Sequence, residues 1–366
     1  MTYNCFASCS FGLESMTALE LRKLGFFGVR ASDARVYFCA DDAGVARANL
    51  WLRTADRVYI ELSSFEALSF EQLFEGVRYT AWEEFITKND MFPVDADSVA
   101  SGLFSVSDIQ SVGKKAVAER LKAAYKTSIL PETGKRYNIH LKLLKNQVSA
   151  CLNTSGAGLN RRGYRKAGAA APLRETLAAG IVMLSGWKEG EIADPMCGSG
   201  TIAIEAAMIG ERTAPGLLRT FDSLNWHSFG AAYKKERDAA TLQKTNPQPV
   251  FASDTDKKAV KIALLNAKAA GVKIKIYNAD VKHFSKNGCV VITNPPYAIR
   301  LGEKEAVHAL YRDMGRGLAC ADRKYVLSAD SQFERYFGKR ADKKRKLYNG
   351  NIMCTLYQYF ANKTYK

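Results

Sequence analysis

From Gly190 onward, short apolar runs alternate with helical stretches, and this alternation limits the possible folds more than any other feature. The runs fall at residues 191–194, 250–254, 274–277, 290–293 and 325–329. Between them lies a helix over 257–270, with Val260, Leu264 and Ala267 on one stripe and Gly271 just past its end. Strands separated by helices form βαβ units, and βαβ units build a parallel sheet covered on both faces. The closing stretch Lys346-Leu347-Tyr348-Asn349-Gly350-Asn351-Ile352 carries Asn-Gly between alternating apolar runs, a strong hairpin signal. The prediction is a doubly wound α/β sheet that ends in an antiparallel edge hairpin.

Residues 1–60 read differently. A strand at 3–8 leads to a helix with Leu13, Met16, Thr17, Glu20 and Leu21 in register, closed by Gly25. A strand at 36–40 precedes a helix capped by Asp41 or Asp42. Further on come helices at 70–77, 80–84 and 107–126, a strand at 91–95, and a hairpin from 137–144 and 147–152. The Gly-rich basic connector at 155–166 and a small-residue helix at 172–185 separate this α+β region from the α/β sheet. The expected domains are 1–60, 61–155, a linker and helix at 156–185, and 186–366.

The chain has 366 residues, enough for about two to three domains. Its 47% apolar and 25% charged residues are globular values, which excludes collagen, coiled coil and bulk disorder. No apolar run approaches the ~18–20 residues of a membrane span. The opening Met1-Thr2-Tyr3-Asn4-Cys5 lacks the basic and apolar regions of a signal peptide, which predicts a cytosolic protein. Eight cysteines occur without any C-x-x-C pair, and only four histidines accompany them, so reduced thiols are expected and no metal site.

The net charge of +16 is uneven. Residues 1–100 carry 9 basic and 15 acidic groups, and residues 101–366 carry 44 and 22. A polyanion is therefore expected to meet the later part of the chain, and nucleic acid is the leading class. Lys114 and Lys115 lie on the basic side of the 107–126 helix. Arg161, Arg162 and Arg165 interleave with Tyr164 in the connector, a pattern suited to phosphate clamping and base stacking. The same pattern also suits packing between domains. Lys343-Lys344-Arg345-Lys346 reads equally as an RNA contact or as edge-strand protection.

The sharpest motif is Asp194-Pro195-Met196-Cys197-Gly198-Ser199-Gly200-Thr201, placed between a strand and a helix. Gly198 and Gly200 permit a tight turn, and the helix start favours an anion. Position 203 is Ala, so the motif is not a dinucleotide fingerprint, and no Lys follows to make a P-loop. Asp254 ends the next strand, with Asp256 two residues on, and Asn278-Ala279-Asp280 ends the one after. Each acid alone could be a helix cap. Together they fit an adenosine ligand beyond the strands' carboxyl ends, with Asp254 on the ribose and Asp280 on the adenine amine.

The fourth strand ends in Asn294-Pro295-Pro296-Tyr297. Two prolines forbid helix and stiffen an exposed loop. The Asn294 side chain and the Pro295 carbonyl can accept the hydrogens of an exocyclic amine, and Tyr297 can stack on its base. Cys197 is not expected to act as a nucleophile, because no His lies near it in sequence.

These motifs resemble Rossmann-like S-adenosylmethionine-dependent methyltransferases of the amino-group type. Phe6-Ala7-Ser8-Cys9, R-A-N-L-W-L-R-T-A-D-R at 47–57, Phe74-Glu75-Gly76-Val77, Arg161-Arg162-Gly163-Tyr164-Arg165, A-P-L-R-E-T-L-A at 171–178 and Lys346-Leu347-Tyr348-Asn349-Gly350 extend the match. Over essentially the whole chain it resembles the THUMP-containing RNA guanine-N2 methyltransferases, of the bacterial large-subunit ribosomal RNA type.

The resemblance implies a ferredoxin-like N-terminal piece, a THUMP module and a Rossmann-like catalytic domain. It implies S-adenosyl-L-methionine as cofactor, S-adenosyl-L-homocysteine as product, and ribosomal RNA as partner. Residues 194–201 would hold the methionine end, with Asp254, Asp256, Ala279 and Asp280 around the nucleoside and residues 294–297 at the target base. The family continues N-P-P-Y with Gly-Glu-Arg, whereas here Ala298-Ile299-Arg300 keeps only the arginine, which is expected near RNA. The rival readings are a tRNA guanine-N2 enzyme, a DNA adenine-N6 enzyme and a catalytically idle RNA-binding factor.

Overall fold

The structure is a computed structural model that describes residues 1–165, 173–297 and 304–361. In chain order the first elements are β1 (Tyr3–Cys9), α1 (Glu14–Lys23), β2 (Phe27–Ser32), β3 (Arg35–Ala40), α2 (Asp42–Trp51), β4 (Ala55–Glu66), α3 (Phe70–Tyr79), β5 (Val94–Val99), α4 (Val106–Ala124), β6 (Ile139–Leu144) and β7 (Gln147–Asn153). There follow α5 (Glu175–Leu184), β8 (Ile192–Asp194), α6 (Thr201–Gly210), α7 (Phe229–Leu242), β9 (Val250–Asp254), α8 (Lys257–Ala270), β10 (Lys275–Asn278), β11 (Val290–Thr293), α9 (Lys304–Gly317), β12 (Arg323–Ser328), α10 (Phe333–Phe337), β13 (Lys343–Asn349) and β14 (Ile352–Tyr359). The chain divides into two compact units. One comprises Met1–Ser8, Ala18–Leu159 and Thr220–Ala239, and the other Cys9–Thr17, Asn160–Arg219 and Ala240–Lys366.

The first unit is built on a seven-stranded sheet ordered β2-β3-β1-β4-β7-β6-β5. Asp41 caps α2 by accepting from the Gly44 amide at 2.7 Å, one of the two caps the sequence offers. The β6–β7 turn uses Lys145 and Asn146, both at positive φ, as a two-residue hairpin requires. Two strands escape sequence reading. β2 is largely exposed and short of apolar periodicity. β4 mixes Arg57, Glu61, Ser63 and Ser64 into a twelve-residue strand with a register shift between Glu61 and Ser63. The strand expected at 91–95 instead spans Val94–Val99, and Met91 makes only an isolated bridge to Arg136. The segment Thr220–Ala239 belongs here because its aromatic groups pack here. Trp226 stacks on Tyr137 with centroids 4.7 Å apart, and Glu236 accepts a two-pronged contact from Arg47.

The second unit carries the sheet β10-β9-β8-β11-β12-β14-β13. β8 to β12 pair in parallel, and β14 runs antiparallel to both of its neighbours. Side chains along β11 alternate between two cores. Val290 and Ile292 pack with α5, α6 and α8, while Cys289 and Val291 face α9 through Tyr311 and Met314. The sheet is thus doubly wound, as the alternation predicts. Three details differ from expectation. The last strand, β14, inserts between β12 and β13, so the edge is β13 and not the hairpin as a whole. Its turn residues are Gly350 and Asn351, because Asn349 pairs with Ile352; Gly350 supplies the positive φ. On α8 the buried stripe is Val260, Ala263, Asn266, Ala267 and Ala270, and Leu264 faces solvent.

Strand order reverses between β8 and β11, which opens a crevice beyond their carboxyl ends. The 194–201 turn, Asp254, Asp280 and the 294–297 loop all lie at the carboxyl ends of β8, β9, β10 and β11. The basic run at the edge is partly committed to structure. Lys344 pairs with Glu334, and Arg345 donates to the Gly12 carbonyl at 2.6 Å and to Ser15 Oγ at 2.9 Å.

Candidate active site

β8 ends in Asp194, and the chain must then turn sharply to start α6. Gly198 and Gly200 make the turn at φ +53° and +84°, and Gly200 is the residue before the helix. A Cβ on Gly200 would stand a tight 3.1 Å from Ala263 Cβ on α8, at a φ that L side chains rarely adopt. A Cβ on Gly198 would meet nothing within 4 Å, which leaves an open face above the turn for a ligand. The turn is held from below. The Cys197 amide donates to the Ser253 carbonyl at 2.9 Å, and Asn266 donates to the Ser199 carbonyl at 3.1 Å.

Asp194 is 3% exposed and accepts from Thr293 Oγ1 at 2.8 Å and the Met196 amide at 3.3 Å. Burial pushes its carboxyl up to about 7, against the pull of those two hydrogen bonds. Pro195 also takes part in the turn, through its carbonyl near Ser253 Oγ at 3.5 Å. Burial raises the Cys197 thiol as well, which is the reverse of an activated nucleophile.

The three acids after β9 and β10 are adjacent but not equivalent. Asp254 accepts from the Gly198 amide at 2.9 Å and the Asp256 amide at 3.0 Å. Asp256 caps α8 by accepting from the Lys258 amide at 2.8 Å. Asp280 caps a short turn by accepting from the Lys282 amide at 3.0 Å; that bond, joined by the Lys282 ammonium at 3.1 Å, holds its carboxyl below the usual range. The helix-cap reading therefore applies to Asp256 and Asp280. A carboxylate has about four lone pairs, so a cap leaves acceptors over. Ala279 donates to the Asp254 carbonyl at 3.2 Å and Asn278 to the same oxygen at 2.7 Å, which ties the two strand ends side by side.

β11 delivers the N-P-P-Y loop. Pro295 is buried and Pro296 is exposed. The Tyr297 hydroxyl donates to Asn294 Oδ1, and Tyr311 donates to the Pro296 carbonyl at 3.0 Å. The Tyr297 ring packs on the apolar core, its hydroxyl accepts from Cys354 Sγ at 3.7 Å, and burial raises the hydroxyl's proton affinity. Arg300, with Ala298 and Ile299, lies outside the described residues.

The connector overturns an expectation. Arg162 and Tyr164 are not on an RNA face. Their side chains are buried against Glu205 of α6, with Arg162 Nε 3.3 Å and the Tyr164 hydroxyl 3.1 Å from Glu205 Oε1. A buried guanidinium cannot clamp a phosphate; its charge is matched within the unit. Arg165 turns inward too, toward Glu175, Ser199 and Thr201. Arg161 is exposed. In the first unit Lys115 is exposed, while Lys114 sits over the Phe92 ring and pairs with Glu132 at 2.7 Å. Sequence reading missed Thr293, Asn266 and Glu175 as supports of the turn. Only Asn266 leaves a trace, as a polar residue on an apolar helical stripe.

This architecture, with a glycine turn at the switch point and acids at the next two strand ends, defines a nucleoside-binding methyltransferase fold. Residues 162–358 match the RMKL-like methyltransferase domain, residues 4–59 the RlmL ferredoxin-like domain and residues 67–152 the THUMP domain. The chain belongs to the RMKL-like methyltransferase family.

The "Putative RNA methyltransferase YpsC" of Bacillus subtilis (strain 168) is 42% identical over 98% of this chain and 96% of its own length. The "Ribosomal RNA large subunit methyltransferase K/L" of Cellvibrio japonicus (strain Ueda107) is 32% identical over 99% of this chain and 52% of its own. The chain thus spans about half the length of the K/L relatives it matches. One solved structure, "a putative methyltransferase complexed with SAH", is 37% identical over 99% of both chains with a TM-score of 0.92. Another, "a predicted N6-adenine-specific DNA methylase from Listeria monocytogenes str. 4b F2365", is 39% identical over 99% of this chain and 97% of its own, with a TM-score of 0.93. Among the described residues no helix is long and apolar enough to cross a membrane.

Proposed function

We propose that this protein methylates the exocyclic N2 of a guanine in large-subunit ribosomal RNA, acting in the cytoplasm. The observation that carries the reading is the convergence, at one crevice, of the glycine turn, the two strand-end acids and the N-P-P-Y loop. When bound, S-adenosylmethionine supplies an electrophilic methyl group on a sulfonium. The residues present fit it: residues 194–201 at the methionine end, Asp254 and Asp256 toward the ribose, Ala279 and Asp280 toward the adenine.

The chain's own part is positioning and electrostatics. Asn294 Oδ1 and the Pro295 carbonyl accept the amine hydrogens and draw the nitrogen lone pair out of conjugation, toward the methyl group. Asn294 Oδ1 has a second lone pair beyond the one Tyr297 engages, so it can accept in that state. The Tyr297 ring meets the base, which is splayed out of its helix to reach the loop. The first unit supplies RNA contact through THUMP residues 61–155, which ferredoxin-like residues 1–60 precede. Residues 156–185 link it to the catalytic residues 186–366.

A second reading, N6 of adenine in DNA, draws on the N-P-P-Y loop alone, which grips an amine on either base. Mass-spectrometric mapping of modified nucleosides in ribosomal RNA, transfer RNA and DNA, with and without the protein, separates them. Loss of one N2-methylguanine from large-subunit RNA is the expected result. Loss confined to transfer RNA or to DNA adenine would replace the reading.

A further inference from the structure

Arg165 has no part in the reading above. The residues around it are fixed first. Arg162 and Tyr164 are sealed against Glu205 in α6, so the chain enters Arg165 from an anchored position. Arg165 then reaches both helix starts and the turn. Nε donates to Glu175 Oε1 at 2.8 Å, Nη1 to Ser199 Oγ at 3.1 Å, and Nη2 to Thr201 Oγ1 at 3.1 Å and to the Leu173 carbonyl at 3.3 Å. Glu175 opens α5 and Thr201 opens α6. A single guanidinium therefore joins two helix starts to the glycine turn.

Both hydroxyls are more than nine-tenths buried and flank Gly200. They lie 3.3 Å from each other, so one can donate a hydrogen bond to the other. A hydroxyl that accepts from arginine keeps its own proton to donate, and the adjacent charge strengthens that donation. The hydroxyl that accepts from the other can donate its own hydrogen to an anion at the start of α6, where the helix dipole favours one.

We propose that Arg165 is a positioning residue for the carboxylate end of the cofactor, acting through Ser199 and Thr201. Glu175 holds the guanidinium in the required plane by taking its Nε hydrogen. The proposal rests on the reading of residues 194–201 as the methionine-end site.

Calorimetry tests it with two ligands: S-adenosylhomocysteine, which has the carboxylate, and methylthioadenosine, which lacks the whole amino-acid end. Arg165→Ala should weaken S-adenosylhomocysteine by about 10-fold or more, the scale of a charge-assisted hydrogen bond. Methylthioadenosine should bind within about 2-fold of wild type, which also shows that the variant is folded. Arg165→Lys should fall between, since it keeps the charge but not the fork. With Ser199→Ala and Thr201→Val already present, Arg165→Ala should add little further loss.

Equal weakening of both ligands would make Arg165 a general structural support and overturn the proposal. An Arg165→Ala protein with wild-type affinity for S-adenosylhomocysteine would overturn it too, provided Thr201→Val and Asp254→Ala do weaken binding. If those two variants also bind normally, the turn is not the cofactor site, and the reading falls together with the proposal.

Discussion

The Gly198 amide donates to Asp254 Oδ2 at 2.9 Å, which locks the turn after β8 to the end of β9. The same carboxylate takes the Asp256 amide on Oδ1 at 3.0 Å. Two backbone donors thus aim it, and its remaining lone pairs can accept from a ligand's hydroxyls. Asp254→Ala should weaken S-adenosylhomocysteine by roughly 10- to 150-fold, the range of hydrogen bonds to a charged acceptor. Asp254→Asn should lose less, because one oxygen still serves the Gly198 amide. Titration calorimetry reads both. Wild-type affinity in the alanine variant would remove Asp254 from the site.

The Tyr297 hydroxyl donates to Asn294 Oδ1 across the loop. Asn294→Ala removes the amine acceptor and leaves the cofactor residues alone. Turnover should fall by roughly 10²-fold or more, as when one preorganised polar contact is deleted. Affinity for S-adenosylhomocysteine should not change. Normal methylation by this variant would sink the mechanism.

Asp194 gives a pH dependence with a definite sign. Its folded-state value, about 7, lies above the unfolded value near 3.9. A raised carboxyl stabilises the fold while protonated. That contribution is fully present below about pH 4 and is lost as pH rises toward 7, at no more than about 1.4 kcal/mol per pH unit for a single site. Asp194→Asn keeps the shape and removes the titration. Denaturant unfolding from pH 4 to 8 should show a smaller downward slope for the variant than for wild type. Parallel curves would mean that Asp194 does not titrate in that window.

The catalytic half was legible because its signals are local. Each strand of the parallel sheet is an apolar run, each motif sits at a strand end, and Gly198, Gly200 and Gly271 stand where positive φ is needed. Contacts that join distant segments were not legible. Nothing near Arg162 announces Glu205, forty-three residues on, and a basic connector reads as surface until its partner is known. β4 hid for a related reason. As a central strand between β1 and β7 it draws stability from neighbours on both sides, so its own sequence can carry Arg57, Glu61 and three serine or glutamate positions beyond. The β14 insertion is likewise set by tertiary pairing; the turn residues fix a hairpin but not which of its strands lies inside.

The Arg162–Glu205 pair should show itself in stability. Both side chains are essentially inaccessible, at 2% and 0%. Removing one partner leaves the other charge buried, at a cost of about 3–5 kcal/mol, whereas replacing both with apolar groups costs far less. Glu205→Leu alone should therefore destabilise strongly, and Arg162→Met with Glu205→Leu should recover part of the loss. Chemical denaturation of wild type and the two variants measures this. Equal losses in the single and double variants would mean that Arg162 carries no uncompensated charge when Glu205 is gone.

The same burial changes what is expected of RNA binding. Three connector arginines on phosphates would flatten the slope of log affinity against log salt by two to three units, at roughly 0.7–0.9 per phosphate. Only Arg161 of the three is exposed. Arg161→Ala should therefore flatten the slope by roughly 0.7–0.9 and leave S-adenosylhomocysteine affinity unchanged. Arg162→Met with Glu205→Leu, measured well below its unfolding temperature, should leave the slope as in wild type. The slope is the deciding quantity, because a loosened fold lowers affinity at every salt concentration without removing a phosphate contact. An unchanged slope in Arg161→Ala would take the connector out of the RNA interface and leave exposed lysines such as Lys115 to account for the salt dependence. A flattened slope in the Arg162 double variant would mean that its guanidinium leaves Glu205 when RNA binds.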